Sequence, residues 1–460
     1  MKDTLQLDLA YRLAQDALER SFDDLSLETR GNTVTALLDS LAVALAGTRS
    51  PGVPQAREAL AKWGNGSGVT VWGGFGKAPA PLAALLNAGS MHALDYDDTD
   101  DAVPLHAQSV VLPALIADVE ENRPDCDGRE FLTALAVGID AAMRIGRAGG
   151  PKASRGWNYS VIPGGMATVL AIARLRRWNV DTTVGAMGHQ LAQTAGSLQS
   201  IIDGTLAKRF QPAMMAKNAL MSVTLAQAGI DGPRNVFEGR AGFIRLFQDD
   251  KFDKEACSRD LGSSALVNDL SLKPYPSCRF THCSIDVALG LHQQRIKLNK
   301  IKHLYVSVNG QAVNMVGRKF DCETAGVVDA QFSIAYTAAV ALARGAVRIG
   351  DFTLERIRDP ETGGFAGKQV TITACPDTPF LAMAPSTFDV ELTTGERMRV
   401  VGEHVSGSPK KPITELQLTD KITDCLNYNH STVTPKELMD TVHALPQASS
   451  LKDVLALLAR

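Results

Sequence analysis

The sequence predicts a mainly α-helical protein carrying a smaller α+β domain, and three observations lead there. Over residues 1–265 apolar side chains recur at helical spacing in segment after segment. Between 266 and 408, short stretches alternate apolar and polar in the strand manner around one helical run. From 409 to 460 the helical spacing returns. Period 3.6 against period 2 is the primary signal of element type. A chain of 460 residues is also too long for one ordinary core, so two domains are expected.

The first helix with a clear start covers residues 27–46 (LETRGNTVTALLDSLAVALA), behind a candidate N-cap at Ser26. Residues 80–94, 109–120, 128–147, 163–177, 181–199 and 215–229 repeat the theme. Several are apolar nearly all round and rich in Ala and Gly, as in ALAVGIDAAMRIG, which fits helices buried among other helices. The glycine cluster GNGSGVTVWGGFG reads as a loop with a short strand. It matches neither GxxxxGK[ST] nor GxGxxG after a strand, so no nucleotide site is expected. In the middle region IKHLYVSVNG (301–310) and KQVTITAC (368–375) read as strands, and TFDVELTTGERMRVV (387–401) as a hairpin turning near Thr394-Gly395. Between them lies one helix, residues 329–345. The C-terminal helices, PITELQLTDKITDCL, TPKELMDTVHAL and SLKDVLALLAR, are expected to return to the first domain.

Composition narrows the function classes. Apolar residues make up 45% and charged residues 21%, and the formal net charge is −3 with no long run of one sign. A nucleic-acid partner would ask for a basic face, so none is expected. No stretch reaches the roughly 18 uninterrupted apolar residues of a membrane span, and residues 1–22 lack the apolar centre of a signal peptide. The seven cysteines are scattered, with no CxxC. Reduced thiols in the cytoplasm fit better than disulfides or structural zinc.

Three segments carry candidate chemistry. Residues 91–113 (MHALDYDDTDDAVPLHAQSVVLP) follow a buried-looking helix with five aspartates, a threonine and two histidines. A solvated loop in which Asp98 or Thr99 caps a helix is one reading. A calcium loop is excluded by spacing, because counting from Asp95 puts Asp100 and His106 where Gly and Glu belong. An active-site loop, whose crowded carboxylates and imidazole shift one another's protonation, is the third. Residues 197–217 place Lys208 and Arg209 between apolar runs, either as an exposed pair or as the cation an anionic substrate needs. Residues 272–286 (LKPYPSCRFTHCSID) deliver Lys273, Tyr275, Cys278, Arg279 and His282 at the junction of the two regions, where clefts often form. Cys278 reads as a small pocket-lining residue before it reads as a nucleophile, which would need a positioned base. His189, His292, His303, His404, His430 and His443 are expected to be structural or exposed.

Taken together, HALDYDDT (92–99), LHAQSVVLPA (105–114), GTLAKRF (204–210), GPRNVFEGRAGF (232–243), KPYPSCRFTH (273–282) and QFSIAYTAAVALARG (331–345) resemble the MmgE/PrpD family. Its members include 2-methylcitrate dehydratase, cis-aconitate decarboxylase and iminodisuccinate epimerase. The resemblance implies a large all-helical domain built from both chain ends and a smaller α+β lid. It also implies a homodimer, and an active site between helical domain and lid that works without metal or organic cofactor. By resemblance to the decarboxylase, pocket residues fall on Asp95, Thr99, His106, Lys208, Lys273 and Tyr336, while that enzyme's catalytic histidine falls on Cys278. The family's His after DDT is Asp100 here, its HP pair is His106-Ala107, and its GWH segment reads Gly156-Trp157-Asn158.

The expected chemistry is proton abstraction beside a carboxylate of a small di- or tricarboxylic acid, in a site supplying positive charge where the carbanion forms. Lys208, Lys273 and Arg279 are the expected carboxylate clamps, with His282 beside them. His106 is the expected base or acid, Asp95 its orienter or charge balance, and Thr99 and Tyr336 hydrogen-bond donors. Loss of water or carbon dioxide would make the enzyme a lyase. Reprotonation on the opposite face would make it an epimerase, with Cys278 or Lys208 as second proton carrier. A catalytically inactive binding protein of the same fold is the further alternative.

Overall fold

The computed structural model describes residues 7–64, 66–150, 156–263 and 265–460. Buried apolar side chains fall into two groups. One runs from Leu9 to Val267 and takes in Ile349 and residues 418–458; the other runs from Tyr275 to Val405.

The first group is a stack of helices. Leu27–Gly47 begins where the Ser26 side chain accepts from Thr29 N–H, and it is buried along almost its whole length from Val34 onward. Ala80–Met91 and Gly128–Gly149 pack beside it, and Gln108–Asn122, Val161–Leu175 and Phe210–Gln227 pack in turn on those two. Small residues let the backbones approach. A Cβ at Gly138 would lie 2.5 Å from a Val111 methyl and 3.1 Å from Ala171 Cβ. Glu415–Tyr428 packs on Leu27–Gly47, and its Leu418, Ile422, Cys425 and Leu426 join the first core.

The second group surrounds a four-stranded sheet in the order Val370–Ala374, Ile301–Val308, Ser386–Leu392, Arg397–Gly402. The first pair is parallel and the others antiparallel. The last two strands form the expected hairpin, with Gly395 at φ 89° in its turn. Helices His282–Gln293 and Ile334–Arg344 pack together beside the sheet. The architecture is mainly α with a smaller α+β part. Among the described residues no helix is long and apolar enough to cross a membrane. All seven cysteines are unpaired.

Two elements differ from expectation. The helix expected over 181–199 is Val180–Leu191. Beyond it the chain extends, because Gly196 O accepts from Asn158 N–H and Leu198 N–H donates to Gly156 O, long-range bonds that a helix would forgo. The run expected over 329–345 is two helices, Val327–Gln331 and Ile334–Arg344. Ser333 turns extended between them and caps the second by accepting from Tyr336 N–H.

Candidate active site

A two-residue strand brings the site segments together. Thr99–Asp100 pairs antiparallel with Leu270–Ser271, Thr99 opposite Ser271, so the aspartate-rich loop lies against the chain leading to Lys273. Gln331 adds a second tie: its side-chain amide donates to Leu94 O at 2.7 Å, and its backbone carbonyl accepts from Cys278 N–H at 2.9 Å. Between these segments and the Leu206–Arg209 turn lies a cleft of about 60 Å³. Asp95, Thr99, His106, Lys208, Lys273, Cys278 and Arg279 all line it.

Asp95 is the hub. Its oxygen Oδ1 accepts from Lys208 Nζ at 2.8 Å and Lys273 Nζ at 3.0 Å, and Lys273 also donates to the Asp95 carbonyl at 3.0 Å. The backbone there is left-handed, φ 53°, a conformation Asp tolerates better than most residues and one the Lys273 bond holds in place. Burial alone would raise this carboxyl, but the two ammonium groups outweigh it and hold it well below the usual carboxylate range. Two cations therefore share one carboxylate in a buried cleft, an excess of positive charge suited to an anionic ligand.

The other aspartates divide the remaining work. Asp97 Oδ2 accepts from His92 Nδ1 at 2.7 Å and lies 3.5 Å from His106 Nδ1. Burial opposes its charge, but both imidazoles hold it below the usual range. Asp98 caps the Gln108–Asn122 helix, accepting from Ala107 and Gln108 N–H, though in a buried rather than solvated loop. Burial and the Asp97 charge push its carboxyl up to about 8, so it is neutral at pH 7. Asp100 is bound by Arg147, and Asp101 by Arg279 and Ser271.

His106 Nδ1 lies 2.6 Å from the Asp98 carbonyl. A carbonyl only accepts, so Nδ1 carries the proton and Nε2 keeps the lone pair. Burial, reinforced by Lys273, His92 and Lys208 against the pull of Asp97, lowers the ring to about 3. His106 is thus a neutral imidazole beside two cations.

Three expected ligands sit otherwise. Arg279 makes paired 2.7 Å bonds to Asp101, and its third nitrogen donates to Ser406 O, so it joins loop to loop instead of standing free as a clamp. Tyr336 lies in the second core, stacked on Phe320, with its hydroxyl donating to Asp351 O at 2.5 Å. It is not among the residues that line the cleft. His282 is buried behind the cleft wall, with Nε2 3.2 Å from Ser277 O. Thr99 lines the cleft from its strand, and the Cys278 thiol is pushed up to about 12 by burial, then by Asp95, so it stays protonated. Asn158, where the family motif has histidine, also lines the cleft, and its amide donates to Gln211.

His92 and Asp97 were passed over in the sequence, although His92 is the first charge-bearing side chain after the apolar Ala80–Met91 helix. One atom each from His92, Asp97 and His106 lies within 4.8 Å of the others, close enough to hold a cation. The chemistry of that set favours fixed hydrogen bonds over a bound cation. Both Nδ1 atoms already face oxygen acceptors, and the charges of Lys208 and Lys273 bear on His106.

The chain matches the MmgE/PrpD N-terminal domain over residues 11–255 and the MmgE/PrpD C-terminal domain over residues 275–445. It is 25% identical over 445 residues to a cis-aconitate decarboxylase-like protein of Aspergillus oryzae, covering 92% of this chain and 91% of that one. It is 26% identical to the cis-aconitate decarboxylase of Aspergillus terreus (75% of this chain, 74% of that one) and 22% to that of Homo sapiens (84% and 81%). With both domain descriptions matched in order around a cleft built from the motif residues, the chain belongs to the MmgE/PrpD family.

Proposed function

We propose that this protein is a lyase acting on a small di- or tricarboxylic acid by proton transfer at a carbon next to a carboxylate. The observation that carries the reading is the pairing of Lys208 and Lys273 on a single Asp95 oxygen in a cleft that also holds neutral His106. The two ammonium groups bind substrate carboxylates and stabilise the electron pair that develops on carbon, where a preorganised cation does far more than in water. His106 Nε2 takes or gives the proton. Bound carboxylates offset the lysine charges that depress the ring, so substrate binding itself raises His106 towards the pH at which transfer is efficient.

For a hydroxy acid the steps balance as an elimination. The C–H electron pair becomes the new double bond, the C–O bond breaks, and the imidazolium returns the proton to the departing oxygen as water. For an unsaturated acid such as cis-aconitate, the substrate named for the relatives, the carbon–carboxyl bond breaks first. Carbon dioxide leaves with the electron pair left on carbon, and His106, protonated from solvent once the bound carboxylates have raised it, delivers that proton to carbon. Epimerisation is the second reading, favoured by one observation: the Cys278 thiol is protonated and lines the same cleft, as an acid able to return a proton on another face.

Incubation with citrate, 2-methylcitrate, cis-aconitate and iminodisuccinate in deuterated water, followed by proton NMR, tests the proposal. A new alkene signal is the expected result. Deuterium wash-in without net conversion would replace the lyase with the epimerase, and no change in any acid would contradict both.

A further inference from the structure

Behind the cleft, on the side away from the expected substrate, sits a charged residue that the chemistry above does not use. Lys421 belongs to the Glu415–Tyr428 helix and faces inward with Leu418, Ile422 and Cys425; it is 3% exposed. Lysine is almost never buried unless paired, because removing its charge from water is costly. Here its ammonium has three oxygen partners: Asp39 Oδ1 at 2.6 Å, Tyr96 O at 2.8 Å and Lys273 O at 2.9 Å. It also lies 4.2 Å from the centre of the Tyr96 ring, whose hydroxyl donates to Pro274 O at 3.1 Å.

The two carbonyls are specific in their placement. Tyr96 stands between Asp95, which holds both cleft lysines, and Asp97, which holds His92. The other carbonyl is that of Lys273 itself. One ammonium therefore fastens together, from behind, the two backbones whose side chains form the Asp95–Lys273 pair in front. Asp39, in the middle of the long Leu27–Gly47 helix, fixes that ammonium to the rigid core. Folding alone does not require this arrangement, since a buried ion pair replaced by apolar groups of like size is often no less stable. What an apolar side chain lacks is the ability to hold two carbonyls at a set spacing.

We infer that Lys421 is a positioning residue of the active site, setting the Asp95–Lys273 geometry from the rear through the Tyr96 and Lys273 carbonyls; the inference rests on the reading of that cleft as catalytic. A shift of about 1 Å in reacting groups can cost roughly 100-fold in rate. The test compares the wild type with the pair Lys421→Met, Asp39→Asn, which removes both buried charges together, and with Lys421→Gln, which keeps an amide donor in the place of the ammonium. On whichever acid of the panel the wild type converts, the double variant is expected to lose about 10- to 100-fold in kcat with KM changed far less. Lys421→Gln, whose amide can still donate to the carbonyls, is expected to fall between. A crystal structure of the double variant is expected to show the Asp95–Lys273 contact lengthened with the Glu415–Tyr428 helix in place. A folded double variant with kcat within twofold of wild type, or with the Asp95–Lys273 contact unchanged, would overturn the inference. So would failure of both variants to fold, which would make Lys421 a residue of the core alone. If the wild type converts none of the acids, the lyase reading fails separately, and the crystal structure still decides whether Lys421 sets the pair.

Discussion

Replacing Asp95 by Asn tests the electrostatic logic of the cleft without emptying it. Asn keeps the size of the side chain and one oxygen for Lys208 and Lys273, but removes the only negative charge those two ammonium groups share at hydrogen-bond distance in the described structure. Lys273 is fully buried, so water cannot compensate. Breaking a buried ion pair by removing one partner costs about 3–5 kcal/mol. The retained amide oxygen returns about 1 kcal/mol as a hydrogen bond. Asp95→Asn is therefore expected to lose about 3 kcal/mol of stability, read as a lower urea midpoint and melting temperature. The same excess of positive charge should make the variant a better anion trap. Tricarballylate, an unreactive tricarboxylate, is expected to raise its melting temperature more than that of the wild type, since a ligand stabilises in proportion to its affinity for the folded state. Catalysis should fall even so, because the lysines are no longer held at fixed positions. If Asp95→Asn melts like the wild type and gains no more from tricarballylate, the charge balance described here is wrong.

Other expectations follow from neighbouring groups. His106→Gln is expected to lower kcat by about 10²–10⁴ on the true substrate, with the protein still folded, as measured by steady-state kinetics. Asp98 is held neutral up to about 8 in the folded chain against 3.8 when unfolded, so between those values the folded state binds the extra proton and stability falls as pH rises. Asp98→Asn should remove that slope and be more stable than wild type at pH 9 by several kcal/mol, with little difference near pH 4 in denaturant titrations. His106 has the opposite sign. Its folded value of about 3 lies below the ordinary 6.5, so its contribution is complete above about 6.5 and is lost as pH falls towards 3. This should appear as a smaller acid-side loss of stability in His106→Gln than in wild type. Treatment with a chelator is expected to leave turnover unchanged, because the Nδ1 atoms of His92 and His106 are already engaged by Asp97 and the Asp98 carbonyl.

The parts of the fold that were legible in the sequence are those set by local chemistry. Ser26 with the apolar spacing behind it marks Leu27–Gly47, and Thr394-Gly395 marks the hairpin, because cap and turn act within a few residues. The end of Val180–Leu191 was not legible, since the bonds that stop the helix come from residues 156–158. The site shows the same division. Asp95, Lys208 and Lys273 announced themselves as charges set against apolar runs and in motifs shared with the family, and the structure brings them onto one another. What engages Arg279 was not legible because its partner Asp101 lies 178 residues away, nor was the place of Tyr336, because a tyrosine in an apolar helix says nothing of which cavity its hydroxyl meets. Lys421 was invisible for a related reason. A lysine in an amphipathic helix reads as solvated, and only Asp39 and two distant carbonyls explain its burial.

The proposed chemistry depends on Lys208 and Lys273 as the carboxylate seat and His106 as the proton carrier beside it. A crystal structure with tricarballylate bound tests it most directly. Bound tricarballylate is expected to place carboxylate oxygens within about 3 Å of both lysine Nζ atoms and a carbon facing His106 Nε2. Tricarballylate seated elsewhere, with Lys208 and Lys273 still bound only to Asp95, would contradict it.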